Sequence, residues 1–444
     1  MESSSGNGEQ NDCMIDVIGT DAGAPQSLAA VHQQMLRDAD LIAAPKRLLP
    51  ALEAWAAAPT GQTRISSDAP EALCTALQTL PLSAKAVVLA SGDPLWFGIG
   101  RSLRQRLGNE RLRFHAAPSS LQLAFSRLGR PWQDAQWISL HGRDPLSLSA
   151  ALQKRPKELA VLTDPSRGGV EDVRRILRSS GLEEAYTLWL FEALGHPDER
   201  VSCLIPGTAV PCDLNPLHLV VLLAQPSRLP SPDRCPLFAI EDGLYLQHND
   251  RPGLMTKRET RIQLLADLEL PAEGVLWDLG AGTGSIGLEA LRLRPDLQLL
   301  AIEKRGGGAA LIKENARRLG VQPAAVLEGN ALTLLQTGIP PALSKADRVL
   351  IGGGGRERTE LLSQVIQRLN PGGIVVIPLA TVEALAELRP LLEHAGLEVS
   401  VSQHQAWRGQ PLADGTRLAP MNPVLVLKAA ARSIQQADSA QLND

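Results

Sequence analysis

A group of closely spaced glycines after residue 279 has the composition of a loop that binds a nucleotide-like ligand. The apolar run 275–279 contains Asp278 near its end and is followed by Gly280-Ala281-Gly282-Thr283-Gly284. Because glycine has no Cβ atom, its backbone turns sharply and approaches a ligand closely, and the free N–H groups of a following helix point at that ligand. The sequence therefore predicts a ligand site between a strand and a helix that begins near Ser285.

Two acidic residues indicate which ligand this loop binds. Glu303 ends the next apolar run, where a carboxylate suits the hydroxyls of a ribose. Asp278 repels a pyrophosphate but attracts the ammonium group of S-adenosylmethionine (SAM). We therefore expect SAM. Two alternatives stay open: an NAD(P)-dependent oxidoreductase, because Gly282, Gly284 and Gly287 also have the dinucleotide-binding spacing, and a tight turn without a ligand.

Composition limits the class of protein. A chain of 444 residues exceeds one ordinary core and predicts two or three domains. Its net charge of -4, with both signs interspersed, argues against a nucleic-acid partner. The five cysteines form no CxxC pair, so we expect neither a metal site nor a disulfide framework. We also expect a cytoplasmic location. The polar N-terminus and short apolar runs indicate neither a signal peptide nor a membrane partner.

Prolines divide the chain. Four prolines lie within residues 224–236, and their missing amide donors and restricted backbone are typical of a linker. We accordingly expect a disordered tail at 1–13, a domain at 14–226, a linker at 227–238, a domain at 239–430 and a disordered tail at 431–444.

The second half predicts a doubly wound α/β domain. Strand-like runs alternate with amphipathic helical stretches, which is typical of a parallel sheet; the runs are 275–279, 299–303, 325–328, 348–351 and 374–378. Two more runs, 397–403 and 423–427, predict an antiparallel pair at the sheet edge and seven strands in all. Since ligands bind beyond the carboxyl ends of such strands, we expect Asp278, Glu303, Asn330 and Gly352 to converge.

The first half also alternates strands and helices, but its glycine pattern differs. Gly19 follows the first strand, and three further strand-to-helix junctions contain Gly92-Asp93, Ser119-Ser120 and Asp164. Each junction is by itself typical of turn and helix-cap chemistry. Together they predict a cleft.

Several longer segments resemble a known enzyme family, and the resemblance spans residues 14 to about 427. The segments are Val17-Ile18-Gly19, 90–98, 139–143, 162–164, 192–200, 242–245, 255–259, 278–286, 351–354, Arg408 and Asn422-Pro423. They resemble the precorrin-6Y C5,15-methyltransferases (decarboxylating) of corrin-ring biosynthesis, in which two methyltransferases are fused. The first half resembles the tetrapyrrole methylase family. The resemblance implies a tetrapyrrole methylase fold of two α/β subdomains, followed by a Rossmann-like SAM methyltransferase domain.

The resemblance also implies cofactors, substrate and assembly. It implies one SAM per domain, a small-molecule tetrapyrrole substrate and a homo-oligomer. For the first domain the expected SAM contacts are Gly19, Gly92, Asp93, Ser119, Ser120 and Asp164. For the second they are Thr256, Asp278, Gly280, Ala281, Gly282, Thr283, Gly284, Glu303, Asn330, Ala331 and Gly352.

Two positions depart from the family pattern. Asn330 stands where an acidic residue is usual, and Pro378 replaces an asparagine often found after the fifth strand. An amide still donates and accepts hydrogen bonds, so we expect altered rather than lost binding at Asn330. These departures leave a noncatalytic ligand sensor as a third alternative.

The implied chemistry calls for cations. Removing carbon dioxide from a ring acetate needs an electron sink, which a positioned acid or cation supports. Lys257, Arg258 and Arg408 are the expected catalytic residues, with His248 as a further candidate. Residues 256–259 also fit a helix capping box, in which Thr256 and Glu259 are structural. For the substrate carboxylates of the first site, the candidates are Arg101, Arg143 and Arg167.

Overall fold

The computed structural model describes residues 14–81, 83–225, 232, 235–352, 355–412 and 415–431. The expected tail at 1–13 lies outside these residues, as do residues 432–444 of the tail expected at 431–444 and most of the expected linker. The chain separates into two compact units. Unit 1 comprises Met1–Ala135, Trp189–Cys203 and Pro211–Val221, and unit 2 comprises Gln136–Leu188, Leu204–Val210 and Leu222–Asp444. In this division residues 136–188 group with the C-terminal half.

A parallel sheet of five strands forms the centre of unit 1. Its strand order is β3-β2-β4-β1-β5, with β1 at Ile15–Thr20, β2 at Leu41–Ala44, β3 at Thr63–Ser66, β4 at Ala86–Ser91 and β5 at Leu112–His115. The helices are α1 at Ala30–Asp38, α2 at Leu49–Trp55, α3 at Pro70–Gln78, α4 at Gly100–Leu107 and α5 at Ser120–Leu128. This order of elements confirms the alternation of strands and helices expected in the first half.

A second five-stranded sheet follows. Its order is β6-β7-β10-β8-β9, with β6 at Gln136–Ser139, β7 at Glu158–Leu162, β8 at Tyr186–Glu192, β9 at Arg200–Leu204 and β10 at His218–Ala224. Helices α6 (Leu146–Gln153) and α7 (Gly169–Ser179) lie between its first strands in sequence.

The C-terminal sheet has seven strands, as expected. Its order is β13-β12-β11-β14-β15-β19-β16, with β11 at Glu273–Leu279, β12 at Asp296–Glu303, β13 at Ala325–Glu328, β14 at Ala346–Ile351, β15 at Leu369–Leu379, β16 at Glu398–His404 and β19 at Val424–Ala430. The first five strands are parallel, and β16 and β19 pair antiparallel at the edge, which confirms the doubly wound α/β prediction. Two more strands lie between β16 and β19 in sequence, β17 (Trp407–Leu412) and β18 (Gly415–Pro420). They form a two-stranded antiparallel ladder that was not predicted.

Apolar residues cover both faces of this sheet. Leu276 and Leu299 face a layer of three helices, α8 at Arg258–Asp267, α9 at Ser285–Leu293 and α10 at Gly308–Leu319. Trp277 and Leu300 face the opposite layer, α11 at Ala331–Thr337, α12 at Arg358–Ile366 and α13 at Val382–His394. Burial on both faces explains why these strands are continuous apolar runs. Because the first five strands are parallel, their carboxyl ends lie at one edge of the sheet.

Among the described residues, no helix has both the length and the apolar character needed to cross a membrane.

Candidate active site

A cavity of about 1070 Å³ opens at the carboxyl ends of the parallel strands in the C-terminal sheet. Ten of the eleven predicted SAM-binding residues of this half line it: Thr256, Asp278, Gly280, Ala281, Gly282, Thr283, Glu303, Asn330, Ala331 and Gly352. Four strand-to-helix connections thus meet at one cavity, as the strand pattern predicted. The eleventh residue, Gly284, is not in the lining and caps the N-terminus of α9 instead.

The glycines of the loop have different roles. Gly280, Gly282 and Gly284 all have positive φ angles, of 82°, 58° and 78°. A Cβ atom on Gly280 would lie 2.3 Å from the Gly352 carbonyl oxygen, and one on Gly284 would lie 2.9 Å from a methyl carbon of Ile312. By contrast, a Cβ atom on Gly282 would meet no described protein atom within 4 Å. Gly280 and Gly284 therefore permit tight packing, whereas Gly282 leaves space at the cavity wall.

Asp278 is a buried carboxylate beside this space. It is 2% exposed, and its Oδ2 accepts one hydrogen bond, from the Gly287 backbone N–H at 3.2 Å. Burial raises the pKa of Asp278 to about 7; the Gly287 bond opposes this rise and nearby Glu303 adds to it. A cation in the cavity would favour the ionised form, so the site is suited to an ammonium group.

Glu303 connects the end of β12 to the glycine loop. Its Oε2 accepts from the Gly282 N–H at 2.8 Å, and its Oε1 accepts from the Arg305 N–H at 2.9 Å. The side chain is buried but lines the cavity. Carboxylate oxygens have further lone pairs, so Glu303 can hold the loop and still accept from the two hydroxyls of a ribose.

The two departures from the family pattern both lie at the cavity. Asn330 caps α11 by accepting from the Thr333 N–H at 3.2 Å, and its Nδ2 donates to Glu357 at 2.7 Å. The amide is thus held by a carboxylate that also lines the cavity. Pro378 lines the cavity too.

Of the three expected catalytic cations, only Lys257 lines the cavity. Its Nζ donates to the Gly253 carbonyl oxygen at 2.9 Å, and burial lowers the pKa of this ammonium group. Arg258 donates to the carbonyl oxygen of Ala239 at 2.7 Å. His248 also lines the cavity, with its Nε2 3.3 Å from the Gly282 carbonyl oxygen.

Arg408 is engaged away from the cavity, and its partner corrects one expectation. Both of its contacts with Glu259 measure 2.8 Å. The capping box expected at 256–259 is wrong, because α8 begins at Arg258 with Lys257 at its N-cap and no side-chain cap. The ion pair with Arg408 engages the Glu259 carboxylate instead.

Some cavity residues were not predicted. Lys304 and Arg305 add positive charge to the wall, while Gln153 comes from the end of α6. The first two directly follow Glu303, so their position after a parallel strand was an available signal. Gln153 gave no such signal, because it lies more than a hundred residues earlier in the chain.

In unit 1, the predicted residues meet at the carboxyl ends of β1, β4 and β5. A Cβ atom on Gly19 would lie 2.6 Å from the Gly92 carbonyl oxygen. Gly92, with a φ of 65°, would place a Cβ atom 3.6 Å from the Ser119 Cα. Asp93 accepts from the Leu95 N–H at 2.8 Å in a local turn. These glycines permit close approach of three loops.

Ser119 and Ser120 begin helix α5. Ser119 is buried and forms a complete capping box with Gln122, and Ser120 is the first helical residue. The hydroxyl of Ser119 is therefore engaged in cap chemistry.

Asp164 belongs to unit 2, together with two of the candidate arginines. Its carboxylate accepts from the Ser166 hydroxyl at 2.6 Å, the Ser166 N–H at 3.0 Å and the Gly142 N–H at 2.9 Å. These hydrogen bonds lower the pKa of Asp164; the bond from the Ser166 hydroxyl has the largest effect, followed by the bond from the Gly142 N–H. Arg143 and Arg167 line a small cavity of about 160 Å³. In unit 1, Arg101 lies exposed on α4.

Both halves of the chain match models of methyltransferase families. Residues 14–205 match the model described as tetrapyrrole (corrin/porphyrin) methylases. Residues 247–431 match the model described as a precorrin methyltransferase domain.

Named relatives cover one or both halves. A precorrin-6Y C(5,15)-methyltransferase (decarboxylating) from Sinorhizobium sp. is 36% identical over 342 residues, which are 76% of this chain and 78% of the relative. A cobalt-precorrin-6B C(15)-methyltransferase (decarboxylating) from Salmonella typhimurium is 35% identical over 189 residues, 42% of this chain and 94% of the relative. A crystal structure of precorrin-6Y C5,15-methyltransferase from Geobacter metallireducens is 27% identical and covers 45% of this chain and 100% of its own, with a TM-score of 0.39. The oxidoreductase alternative gains no support from these relatives.

Proposed function

Because the chain belongs to the family of precorrin-6Y C5,15-methyltransferases (decarboxylating), we propose that it methylates carbons 5 and 15 of a partly reduced tetrapyrrole. In this proposal the ring C acetate of the same substrate loses carbon dioxide. Each half binds one SAM and transfers one methyl group. The substrate is precorrin-6B or its cobalt form, and the product is the corresponding precorrin-8.

The observation that carries the proposal is the pairing of Asp278 with the open space at Gly282. A buried carboxylate whose pKa is raised to about 7 gains most from a cationic partner, and the cavity provides room for one. Glu303, one loop away, can accept from ribose hydroxyls. These groups fit the ammonium and ribose ends of SAM.

When bound, SAM would supply a sulfonium methyl group whose carbon an electron-rich ring carbon attacks in line, so that the new C–C bond forms as the C–S bond breaks and S-adenosylhomocysteine leaves. The chain's own part is to orient and to exclude water. Orientation alone lowers a barrier by about 7–11 kcal/mol in the best cases. The glycine loop and Glu303 fix one reactant, and the remaining cavity volume holds the edge of the ring.

Lys257 is the residue to which we assign support of the decarboxylation. Loss of carbon dioxide leaves an electron pair that a protonated ring accepts, and a nearby ammonium group stabilises the charge that moves. Lys257 lies in the lining, and its lowered pKa makes it a better proton donor than an exposed lysine. Arg258 and Arg408 hold neighbouring segments in place.

For the first half, we assign methylation of carbon 5 to the junctions at Gly19, Gly92-Asp93 and Ser119-Ser120. The close approach of these loops supports a backbone-lined site at the end of the first sheet. Asp164 is assigned to the same function from the family pattern. We also propose a homo-oligomer that works in the cytoplasm; the cysteines at 74, 203, 212 and 235 are free thiols, which fits a reducing compartment.

The test is an incubation of the protein with a reduced precorrin substrate and SAM that carries a ¹³C-labelled methyl group. We expect a mass gain of two labelled methyl groups and the loss of one carbon dioxide, with the labels at carbons 5 and 15 by NMR. A product with no label, or hydride transfer from NAD(P)H, would contradict the proposal.

A further inference from the structure

Part of the wall of the large C-terminal cavity packs against a segment from the first half of the chain. Residues 253–257 form part of that wall, and the end of α6 packs directly on them. A Cβ atom on Gly253 would lie 2.0 Å from the Gln153 carbonyl oxygen and 3.1 Å from the Arg155 Cγ. Only glycine fits between these atoms, and its φ of 85° is one that other residues rarely adopt.

One connection from this contact leads to Lys257. The carbonyl oxygen of Gly253 accepts the hydrogen bond from Lys257 Nζ at 2.9 Å. The Gly253 N–H is held in turn by the Gln247 side chain at 3.3 Å. A shift of Gly253 away from Gln153 would therefore move the acceptor that holds the Lys257 ammonium group.

A second connection leads to Thr256. Arg155 donates to the backbone oxygen of Asp242 at 3.3 Å. The Asp242 carboxylate accepts from Arg261 at 2.6 Å, and the same Arg261 nitrogen donates to the Thr256 carbonyl oxygen at 2.7 Å. Arg261 is fully buried, so its geometry is fixed by these partners.

Arg155 is held in an unusual backbone conformation. Its φ is 51°, a region that costs a residue with a side chain about 1–2 kcal/mol. The cost is tolerated where the surrounding structure determines the conformation, which is common near functional sites. Here the conformation directs the guanidinium group to Asp242.

We propose that Gln153 and Arg155 are positioning residues for the second active site, through which the first half of the chain sets the placement of Thr256 and Lys257. The proposal rests on the proposed function for its kinetic readout, but not for its structural one. It makes methylation at carbon 15 dependent on a segment that lies outside the C-terminal methyltransferase domain.

The test uses three variants of the full-length protein. Arg155→Gly removes the guanidinium group and keeps the positive φ without strain. Gly253→Ala introduces the Cβ atom that collides with Gln153. Lys154→Ala is the matched control, because it removes an exposed positive charge from the adjacent position.

We expect Arg155→Gly and Gly253→Ala to raise the KM for SAM in carbon-15 methylation by about three- to tenfold, the range of one lost hydrogen bond. The KM and kcat for carbon-5 methylation stay at wild-type values, and Lys154→Ala changes neither reaction. An unchanged KM for carbon 15 in both variants overturns the proposal. A proportional loss of both methylations with a lowered thermal midpoint also overturns it, since that pattern reports general destabilisation.

Hydrogen exchange separates this proposal from the proposed function. In ligand-free protein, the amides of residues 247–257 should exchange faster in Arg155→Gly than in wild type or Lys154→Ala. Equal exchange in all three proteins overturns the positioning role. If wild-type protein makes no carbon-15 methyl product, the proposed function fails, and calorimetric SAM affinity then replaces KM as the second readout.

Discussion

Two buried aspartates, each at the end of a parallel strand, have opposite electrostatic environments. Asp164 follows β7 and accepts three hydrogen bonds, from the Ser166 hydroxyl and from two backbone N–H groups. Asp278 lies in β11 and accepts one long bond from Gly287. The pKa of Asp164 is lowered, chiefly by its bond with the Ser166 hydroxyl, whereas burial raises the pKa of Asp278 to about 7. Burial alone therefore does not identify a ligand-binding carboxylate.

The two aspartates differ in the source of their hydrogen-bond donors. The local chain satisfies Asp164, as it satisfies the Asp93 turn and the Ser119 cap. At Asp278 the chain leaves the carboxylate short of donors and places a large cavity beside it. An underpartnered buried carboxylate beside a cavity is the stronger sign of a cationic ligand, because a ligand is the remaining source of compensation.

The largest expected effect is that of Gly282→Arg on the second site. The added side chain would point into the space that Gly282 leaves open, at the wall of the cavity. We expect carbon-15 methylation to fall at least ~100-fold, which corresponds to about 2.7 kcal/mol of lost binding. Label incorporation at the two carbons measures the effect, and carbon-5 methylation should persist.

Gly282→Ala is the matched control for this blockage. Its methyl group meets no described protein atom, so only the positive φ opposes it, at about 1 kcal/mol. Equal loss of both methylations in Gly282→Arg would contradict separate sites in the two halves.

The next largest effect is the pH dependence of SAM affinity at the second site. Binding of an ammonium group requires ionised Asp278, whose carboxyl has a pKa of about 7 without ligand. Below that pH, binding must release a proton, so affinity should fall by up to about tenfold per pH unit as the pH drops. Above pH 7 the dependence should level off. Calorimetry between pH 5.5 and 7.5 measures the slope.

Asp278→Asn isolates this effect from His248 and Glu303, which also line the cavity. The amide cannot titrate, so the slope should flatten and affinity should remain low throughout. A slope that persists in Asp278→Asn would assign the titration to another group and weaken the contrast with Asp164.

A smaller effect is expected at Asp93, whose carboxylate, like that of Asp164, accepts a hydrogen bond from the neighbouring chain. Asp93→Ala removes the acceptor for the Leu95 N–H and should lower carbon-5 methylation by up to about tenfold, since a typical hydrogen bond contributes about 0.5–1.5 kcal/mol. Asp93→Asn keeps an oxygen acceptor for the turn. If the carboxylate acts through the turn, as the comparison with Asp278 suggests, the asparagine variant should retain carbon-5 methylation within about twofold.

An asparagine variant as impaired as the alanine variant would contradict that account. It would assign to Asp93 a charge-dependent contact with the ligand.

Sequence periodicity predicted the C-terminal sheet well, for a physical reason. Strands such as 299–303 are buried on both faces and therefore are apolar runs with sharp ends. The convergence of Asp278, Glu303 and Gly352 followed from the parallel topology alone. Local pattern was less reliable at 256–259, where the expected capping box lost Glu259 to Arg408, 149 residues away.

The contacts that the sequence could not predict are long-range packing contacts. Gln153 carries no motif, and its place at the cavity depends on the packing of α6 against Gly253. The ladder of β17 and β18 was missed because its strands include Pro411, Gly415 and Pro420, residues that are disfavoured in strands. Nor could spacing distinguish Asp164 from Asp278, because the donors that satisfy Asp164 include the backbone of Gly142, in a separate loop.

The smallest expected effect, on stability rather than activity, tests the comparison at its source. Asp164→Asn replaces an oxygen that faces the Gly142 N–H with a second donor, so it should lower the free energy of unfolding at pH 7 by about 1 kcal/mol. The pKa of Asp164 is lowered in the folded state, so its stabilisation is present above the ordinary value of 3.8 and disappears as the pH falls through the folded value.

Asp278 has the opposite pH dependence. Its contribution to the free energy of unfolding becomes less favourable as the pH rises from 3.8 to about 7 and is constant above that. Asp278→Asn should therefore stabilise the ligand-free protein at pH 8, while Asp164→Asn destabilises it. Urea unfolding of both variants at pH 8 measures this difference. A loss of stability of equal size in the two variants would show that the ionised carboxylate of Asp278 is already stabilised in the ligand-free protein.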